Sequence, residues 1–155
     1  MAASSSPATF SGPIVVVEDS DEDFDTLSEV AAASGVVRAI HRVTSGGDCL
    51  ALLRGESGVQ PALLPALILM DLNSHGVDGR EALVAIKSDA RLKEIPVVVL
   101  TTSGNPKDVA FCYQAGANSY HVKPVRHDHY SLLLGSLMHY WLESVTLPAS
   151  LAKVD

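Results

Sequence analysis

The sequence predicts an α/β protein built on a doubly wound, five-stranded parallel sheet. Short aliphatic and β-branched runs alternate with segments whose apolar residues recur at helical spacing, which is typical of parallel strands joined by crossover helices. The central runs are apolar almost without interruption, as expected for strands covered by helices on both faces. Polar and charged residues gather where these strands end, so we expect a functional site at one edge of the sheet.

Length and composition favour one domain and argue against several functions. At 155 residues the chain can bury a core without disulfides, and its net charge of −7 argues against nucleic acid or an anionic membrane as partner. Residues 1–12 lack the basic and apolar regions of a signal peptide, so we expect a flexible segment and a cytoplasmic protein. Residues 13–144 should form the domain and residues 145–155 a C-terminal arm, with Cys49 and Cys112 reduced in the core.

The first predicted strand ends in two carboxylates. The β-branched run at 14–17 predicts a buried strand, and Glu18 and Asp19 follow it directly. Because they come straight after a buried strand, we expect both at the carboxyl edge of the sheet.

A helix follows this strand, and it begins with further acids. Its apolar residues recur at helical spacing from Phe24 onward, with Ser20 or Asp21 as the N-cap and Gly35 at its end. Acids in a first turn favour the helix dipole, and we expect those present here to be mostly solvated: Asp21, Glu22 and Asp23.

The remaining elements continue the alternation of strands and helices. Arginine and histidine residues interrupt the second strand, which suits an edge position, and Pro106 suits the first turn of its helix. The predicted elements are an edge strand at 36–43, a helix at 46–53, the central strand from residue 67, a helix at 80–87, a strand at 96–100, a helix at 106–115, a strand at 119–122 and a helix at 128–144.

The central strand ends in a single carboxylate. Residues 67–70 are all apolar, and Asp71 follows at the start of a turn rich in small and polar residues. Burying a carboxylate inside an apolar sheet is costly, whereas the end of a strand directs it into a crevice. Taken alone, the pattern fits equally well an aspartate that caps the following loop.

Polar residues at the other strand ends favour the crevice. Thr101 ends the fourth strand and Lys123 follows the fifth. Because parallel strands share one carboxyl edge, these two residues should meet the acids there. The combined set is Glu18, Asp19, Asp71, Thr101 and Lys123.

This pattern resembles the receiver domain of two-component response regulators, the CheY-like family, over about residues 14–141. The resemblance implies the strand order 2-1-3-4-5, a Mg²⁺ cofactor and a cis Lys123–Pro124 bond. It also implies the roles of the site residues. Asp71 would be the phosphoacceptor, and the metal ligands would be Glu18, Asp19, Asp71 and the Asn73 backbone carbonyl. Lys123 and Thr101 would lie beside the phosphoryl group, and Thr101 and Tyr120 would be the switch residues.

Three segments narrow the resemblance to the small stand-alone regulators of bacterial phytochromes, namely 71–73, 96–103 and 116–120. The resemblance therefore implies a sensor histidine kinase of the phytochrome type as phosphodonor. His75 stands where that subfamily usually has proline, which could loosen the loop without removing a ligand. We expect no output domain after the last helix, so output would pass through protein contacts or phosphate flow to another carrier.

The last helix is apolar over more of its circumference than one sheet can bury. We therefore expect a homodimer through helix four, strand five, helix five and the C-terminal arm, with Leu132, Met138 and Leu142 outside the stripe that packs on the sheet. The alternative is that the arm folds back on its own domain. The expected partner residues are Val109, Tyr120, Leu132, Met138, Trp141, Leu142 and Leu147.

Two other functions remain open. One is a pseudo-receiver that binds partners without phosphorylation, against which the complete set of acids, hydroxyl and lysine argues. The other is an enzyme on a flavodoxin-like scaffold, but no glycine-rich phosphate loop follows the first strand and no nucleophile elbow is present. Metal binding by His127 and His129 is disfavoured because residues two apart do not share a helix face. We expect a phospho-accepting regulator and not an enzyme, apart from self-catalysed phosphoryl transfer and autodephosphorylation.

Overall fold

A parallel sheet with strand order β2-β1-β3-β4-β5 forms the centre of the molecule, which confirms the predicted fold class and order. The computed structural model describes residues 12–56, 64–72, 79–148 and 151. The strands are β1 (Ile14–Val17), β2 (Ile40–Val43), β3 (Leu67–Met70), β4 (Val97–Thr101) and β5 (Ser119–Val122). The helices are α1 (Asp21–Ala33), α2 (Gly46–Arg54), α3 (Gly79–Ser88), α4 (Pro106–Ala115) and α5 (His127–His139), followed by a π-helical turn at Tyr140–Ser144.

The sheet separates two apolar layers because side chains alternate along each strand. Val15, Ile68 and Val99 face the layer that also contains residues of α2, α3 and α4. Val16 and Leu69 face the opposite layer, to which α1 and α5 contribute. Fully burying an aliphatic side chain contributes about 1.5–3 kcal/mol to the stability of the folded state. Because many such side chains are buried in both layers, the strand ends are held in fixed register.

Two element boundaries differ from the sequence expectation by more than two residues. β2 begins at Ile40 and not at residue 36, because the Val36 N–H still bonds to the Ala31 carbonyl at 3.0 Å and closes the end of α1. The last α-helix ends at His139 and not at residue 144, and the chain widens into the π turn. Ser20, one of the two expected N-caps, accepts a bond from the first turn of α1.

Part of the C-terminal region packs against its own domain. Met138, Leu147 and Leu151 are buried, and the Leu151 carbonyl lies beside Gly12 at the start of the sheet. The prediction that Met138 lies outside the packed stripe is wrong, because α5 packs on α1 as well as on the sheet. At Leu147 and Leu151 the alternative that the arm folds back is the arrangement found.

Cys49 and Cys112 are both buried in the core, as predicted. In the described part of the chain, no helix is both long and apolar enough to cross a lipid bilayer. Residues 1–11 lie outside the described residues, and the predicted domain limits stay predictions.

Candidate functional site

The candidate site lies at the carboxyl edge of the sheet, where backbone pairing continues one residue beyond the strands. The Asp71 N–H donates to the Val17 carbonyl at 3.1 Å, and the Lys123 N–H donates to the Thr101 carbonyl at 2.7 Å. The Glu18 N–H is held in the same way by the end of β2, at 3.0 Å. These bonds fix the backbone of three functional residues by the sheet itself and not by a mobile loop.

Three carboxylates converge at this edge. Glu18, Asp19 and Asp71 each offer an oxygen, and these oxygens all lie within 4.8 Å of one another. Glu18 and Asp71 are buried and Asp19 is partly exposed. A cluster of hard oxygen donors with strong mutual repulsion suits Mg²⁺, which prefers carboxylates, carbonyls and water. The predicted fourth ligand, Asn73, lies outside the described residues.

One lysine balances this negative charge. The Lys123 Nζ lies 2.6 Å from Glu18 Oε1, 2.9 Å from Asp23 Oδ2 and 3.1 Å from Asp71 Oδ2. An ammonium group has three donors, and each of these acids can take one. The cluster therefore places one cation between three anions in a largely buried position.

The electrostatic effects in this cluster work against one another. Burial acts to lower the pKa of Lys123, but hydrogen bonds to Glu18 and Asp23 and the charge of Asp71 outweigh it and hold that pKa above its usual range. Burial raises the pKa of Glu18, and the contact with Lys123 opposes that rise. Lys123 is therefore firmly cationic.

Asp23 is the functional residue that the sequence interpretation missed. Its carboxylate reaches Lys123, although the acids of this turn were expected to be mostly solvated. The Asp23 N–H bonds to Ser20 Oγ at 3.2 Å, so Asp23 occupies the third helical position, where acidic side chains commonly fold back over the helix start. That spacing, next to a strand end, was the signal available in the sequence. Glu22 is exposed as expected.

The two predicted switch residues lie on neighbouring strands. Thr101 is fully buried at the end of β4, and Tyr120 on β5 is half-buried with its hydroxyl donating to the Ser103 carbonyl at 2.7 Å. Ser103 Oγ donates to Asp108 at 2.6 Å, and Arg80 donates to the same carboxylate at 2.7 Å. These two donors lower the pKa of Asp108. Tyr120 is thereby connected to the loop before α4 and, through Asp108, to α3.

The Lys123–Pro124 bond is trans, so the predicted cis bond is wrong. The backbone bond from Lys123 to Thr101 already directs the lysine side chain toward the acids. A trans bond is also the general preference of X–Pro sequences.

The predicted dimer residues do not form one exposed patch. Leu132 is 71% exposed, whereas Met138 and Leu147 are buried within the chain, as described above. The remaining predicted partner residues are half-buried, namely Val109, Tyr120, Trp141 and Leu142. A groove of about 390 Å³ between β5 and α5 is lined in part by Trp141 and Tyr140.

Fold and site together define a receiver module of the CheY-like type: a doubly wound sheet with an acidic cluster, a buried threonine and a lysine at its carboxyl edge. The chain belongs to the family of response regulator receiver domains, whose model matches residues 14–133. Members of this family are signalling proteins and not classical enzymes.

Two relatives extend this result. Response regulator Rcp1 of Synechocystis sp. is 38% identical over 137 residues, which is 88% of this chain and 93% of that protein. The crystal structure of the Mn²⁺-bound form of Rcp1 has a TM-score of 0.85 at 37% identity and covers 88% of this chain and 99% of its own. The phosphorylated cyanobacterial phytochrome response regulator RcpA has a TM-score of 0.82 at 36% identity, with 89% and 99% covered.

Proposed function

We propose that this chain accepts a phosphoryl group on Asp71 from a sensor histidine kinase of the phytochrome type. The observation that carries the proposal is the position of the Asp71 carboxylate, 3.1 Å from the Lys123 Nζ and clustered with two further acids at the end of β3. Buried at the sheet edge but with its side chain 11% exposed, Asp71 is within reach of a phosphodonor. The complete set of acids, threonine and lysine favours this function over a pseudo-receiver.

The reaction moves a phosphoryl group from a ring nitrogen to a carboxylate. An Asp71 oxygen forms the new P–O bond while the P–N bond of the kinase phosphohistidine breaks, and the ring nitrogen keeps the bonding electron pair and takes up a proton. Mg²⁺ held by Glu18, Asp19 and Asp71 would supply positive charge that offsets the charge developing on the phosphoryl oxygens. Lys123 places a second positive charge beside the same oxygens.

The product carries a new charge of about −1.5 to −2 at Asp71, by analogy with other phosphorylated residues. The Thr101 hydroxyl, at the end of the neighbouring strand β4, would move toward that charge. Its movement would alter the loop before α4, where the Ser103 carbonyl accepts the Tyr120 hydroxyl. Tyr120 would then transmit phosphorylation to the surface formed by α4, β5 and α5.

That surface is our proposed homodimer interface. Leu132 and Tyr140 are 71% and 52% exposed, and the groove beside Trp141 continues the apolar character. Because Met138 and Leu147 are buried in their own domain, the interface would rest on α4, β5 and the exposed side of α5 more than on the C-terminal arm.

Two relatives support the proposed phosphorylation and metal binding. RcpA is described as a phosphorylated phytochrome response regulator, and Rcp1 has been crystallised with Mn²⁺. By analogy, we propose that this chain binds a divalent cation, acts with a phytochrome-type kinase and does so in the cytoplasm.

Incubation with Mg²⁺ and acetyl phosphate, followed by intact-mass measurement, tests the central step. We expect the wild type to gain the mass of one phosphoryl group and Asp71→Asn to gain none. Asp25→Asn, an equal change of charge at an exposed site on α1, should label like the wild type. An unlabelled wild type, or an Asp71→Asn variant that labels fully, would overturn the proposal. Faster transfer from a phytochrome kinase than from an unrelated histidine kinase would support the proposed partner.

A further inference from the structure

The donors of Lys123 are shared among three acids before any phosphoryl group arrives. Glu18, Asp23 and Asp71 lie 2.6, 2.9 and 3.1 Å from its Nζ. An ammonium group has three N–H donors. A phosphoryl oxygen that binds Lys123 must therefore displace or weaken one of these existing contacts.

Exposure distinguishes the acid that gives way. The side chains of Glu18 and Asp71 are 5% and 11% exposed, whereas that of Asp23 is 34% exposed. Leaving a buried carboxylate without its partner costs far more than returning a partly exposed one to water. Glu18 is further fixed by the Ser20 N–H at 3.2 Å, and Asp71 carries the incoming group itself.

Asp23 also differs from the other acids in its place in the fold. The carboxylates gathered to hold a metal are Glu18, Asp19 and Asp71, so Asp23 stands outside the cluster that the described residues form. It projects from the first turn of α1, where the bond to Ser20 fixes its backbone. Asp23 therefore contacts the lysine from a helix, whereas Glu18 and Asp71 contact it from the ends of strands.

We propose that Asp23 is a positioning residue that competes with the phosphoryl group for Lys123. In the unphosphorylated protein Asp23 holds one donor of the ammonium group, and phosphorylation of Asp71 releases it. Asp23 thus stabilises the unphosphorylated state and sets how readily the regulator accepts a phosphoryl group. This inference rests on the proposed function of Asp71 as acceptor and adds a residue that tunes it.

Three variants test the competition. Asp23→Asn keeps the shape of the side chain but weakens its bond to a cation. Asp25→Asn, two residues along α1 and exposed, removes the same charge away from Lys123. Asp23→Glu keeps the charge. Circular dichroism should show that all three are folded, and initial labelling rates should then be measured over a range of acetyl phosphate concentrations with saturating Mg²⁺.

We expect Asp23→Asn to raise the second-order rate constant of labelling about two- to fivefold, the range of coupling typical of partly exposed ion pairs. Asp25→Asn should change it by a clearly smaller factor, and Asp23→Glu should stay near the wild type. Equal acceleration by Asp23→Asn and Asp25→Asn would mean that the effect comes from net charge alone, and this would overturn the proposal. A rate for Asp23→Asn equal to or below that of the wild type would also overturn it.

A structural measurement needs no variant and does not depend on reaction rates. Beryllium trifluoride adds to carboxylates as a mimic of an acyl phosphate, and wild-type crystals grown with it and Mg²⁺ should show Lys123 bound to the fluoride. We expect the distance from Asp23 Oδ2 to Lys123 Nζ to exceed about 4 Å, the usual limit of an ion pair. A fluoride on Asp71 with the Asp23 contact intact would overturn the inference and leave the proposed function standing. A wild type that neither labels nor binds the fluoride would instead overturn the proposed function.

Discussion

Gly79 packs so closely against Asp71 that a Cβ on the glycine would lie 2.7 Å from the Asp71 carbonyl oxygen. It would also lie 2.9 Å from the Cα of Leu72. Both atoms belong to the backbone, so neither can rotate away as a flexible side chain can. The first residue of α3 therefore restricts the backbone that carries the proposed phosphoacceptor.

The first prediction concerns this contact. Gly79→Ala should destabilise the protein by about 1–3 kcal/mol, as expected for overpacking, and should slow labelling by acetyl phosphate because the backbone after Asp71 must shift. Denaturant unfolding and intact-mass kinetics measure the two effects. Gly104→Ala is the matched control, since a Cβ there would lie 3.7 Å from a Val122 side-chain atom, an ordinary contact. Equal behaviour of the two variants would show that the close approach has no consequence.

The second prediction concerns the metal. Mg²⁺ should raise the melting temperature of the wild type, because a ligand that binds only the folded state stabilises it by mass action. Asp19→Asn should largely abolish that rise, since it removes one of the three clustered carboxylates. Glu22→Gln, an exposed acid on α1, should respond as the wild type does. Thermal scans with Mg²⁺ and with a chelator decide it, and an undiminished rise in Asp19→Asn would place the metal elsewhere.

The third prediction concerns a buried hydroxyl. Tyr130 is 5% exposed, and its hydroxyl has no hydrogen-bond partner among the described residues. A buried group of this kind costs about 1–3 kcal/mol, so Tyr130→Phe should leave stability unchanged or raise it. Tyr120→Phe should instead lose about 0.5–1.5 kcal/mol with its bond to the Ser103 carbonyl. Urea unfolding of both variants checks this, and a clear loss of stability in Tyr130→Phe would reveal a bond that the structure lacks.

The fourth prediction concerns the pH dependence of a thiol. Burial raises the pKa of Cys49 to about 12. An unfolded thiol has a pKa of about 8.5, so as the pH rises the unfolded chain loses this proton before the folded chain does. The contribution of Cys49 to the free energy of unfolding should therefore decrease as the pH rises from about 8.5 to about 12. At neutral pH native Cys49 should resist a thiol reagent that reacts readily in urea, and Cys49→Ser should flatten the alkaline part of the stability curve.

Strand ends and helix faces were predictable because they depend on local patterns. The apolar run before Asp71 and the β-branched run before Glu18 predict buried strands, and parallel topology brings their ends together. The burial of Met138 was not predictable in this way, because it depends on the packing of α5 against α1. Asp23 was missed for a similar reason: the charge of a first turn favours the helix dipole, and only the fold brings Lys123 to it. The incorrect prediction of a cis Lys123–Pro124 bond rested on family resemblance alone, without local evidence.

The last prediction concerns the proposed dimer, and the structure changes how it must be tested. Because Leu147 and Leu151 are buried, truncating the C-terminal arm would expose core residues and confuse loss of stability with loss of association.

A surface substitution avoids this problem. Leu132→Glu places a charge on an exposed side chain of α5 and should shift the protein from dimer to monomer without lowering its stability. Val37→Glu is the control, because Val37 is 96% exposed and precedes β2, at the opposite edge of the sheet from β5. Light scattering at micromolar concentration should show a dimer for the wild type and Val37→Glu and a monomer for Leu132→Glu. A monomeric wild type, before and after phosphorylation, would exclude the dimer, and a dimeric Leu132→Glu would move the interface away from α5.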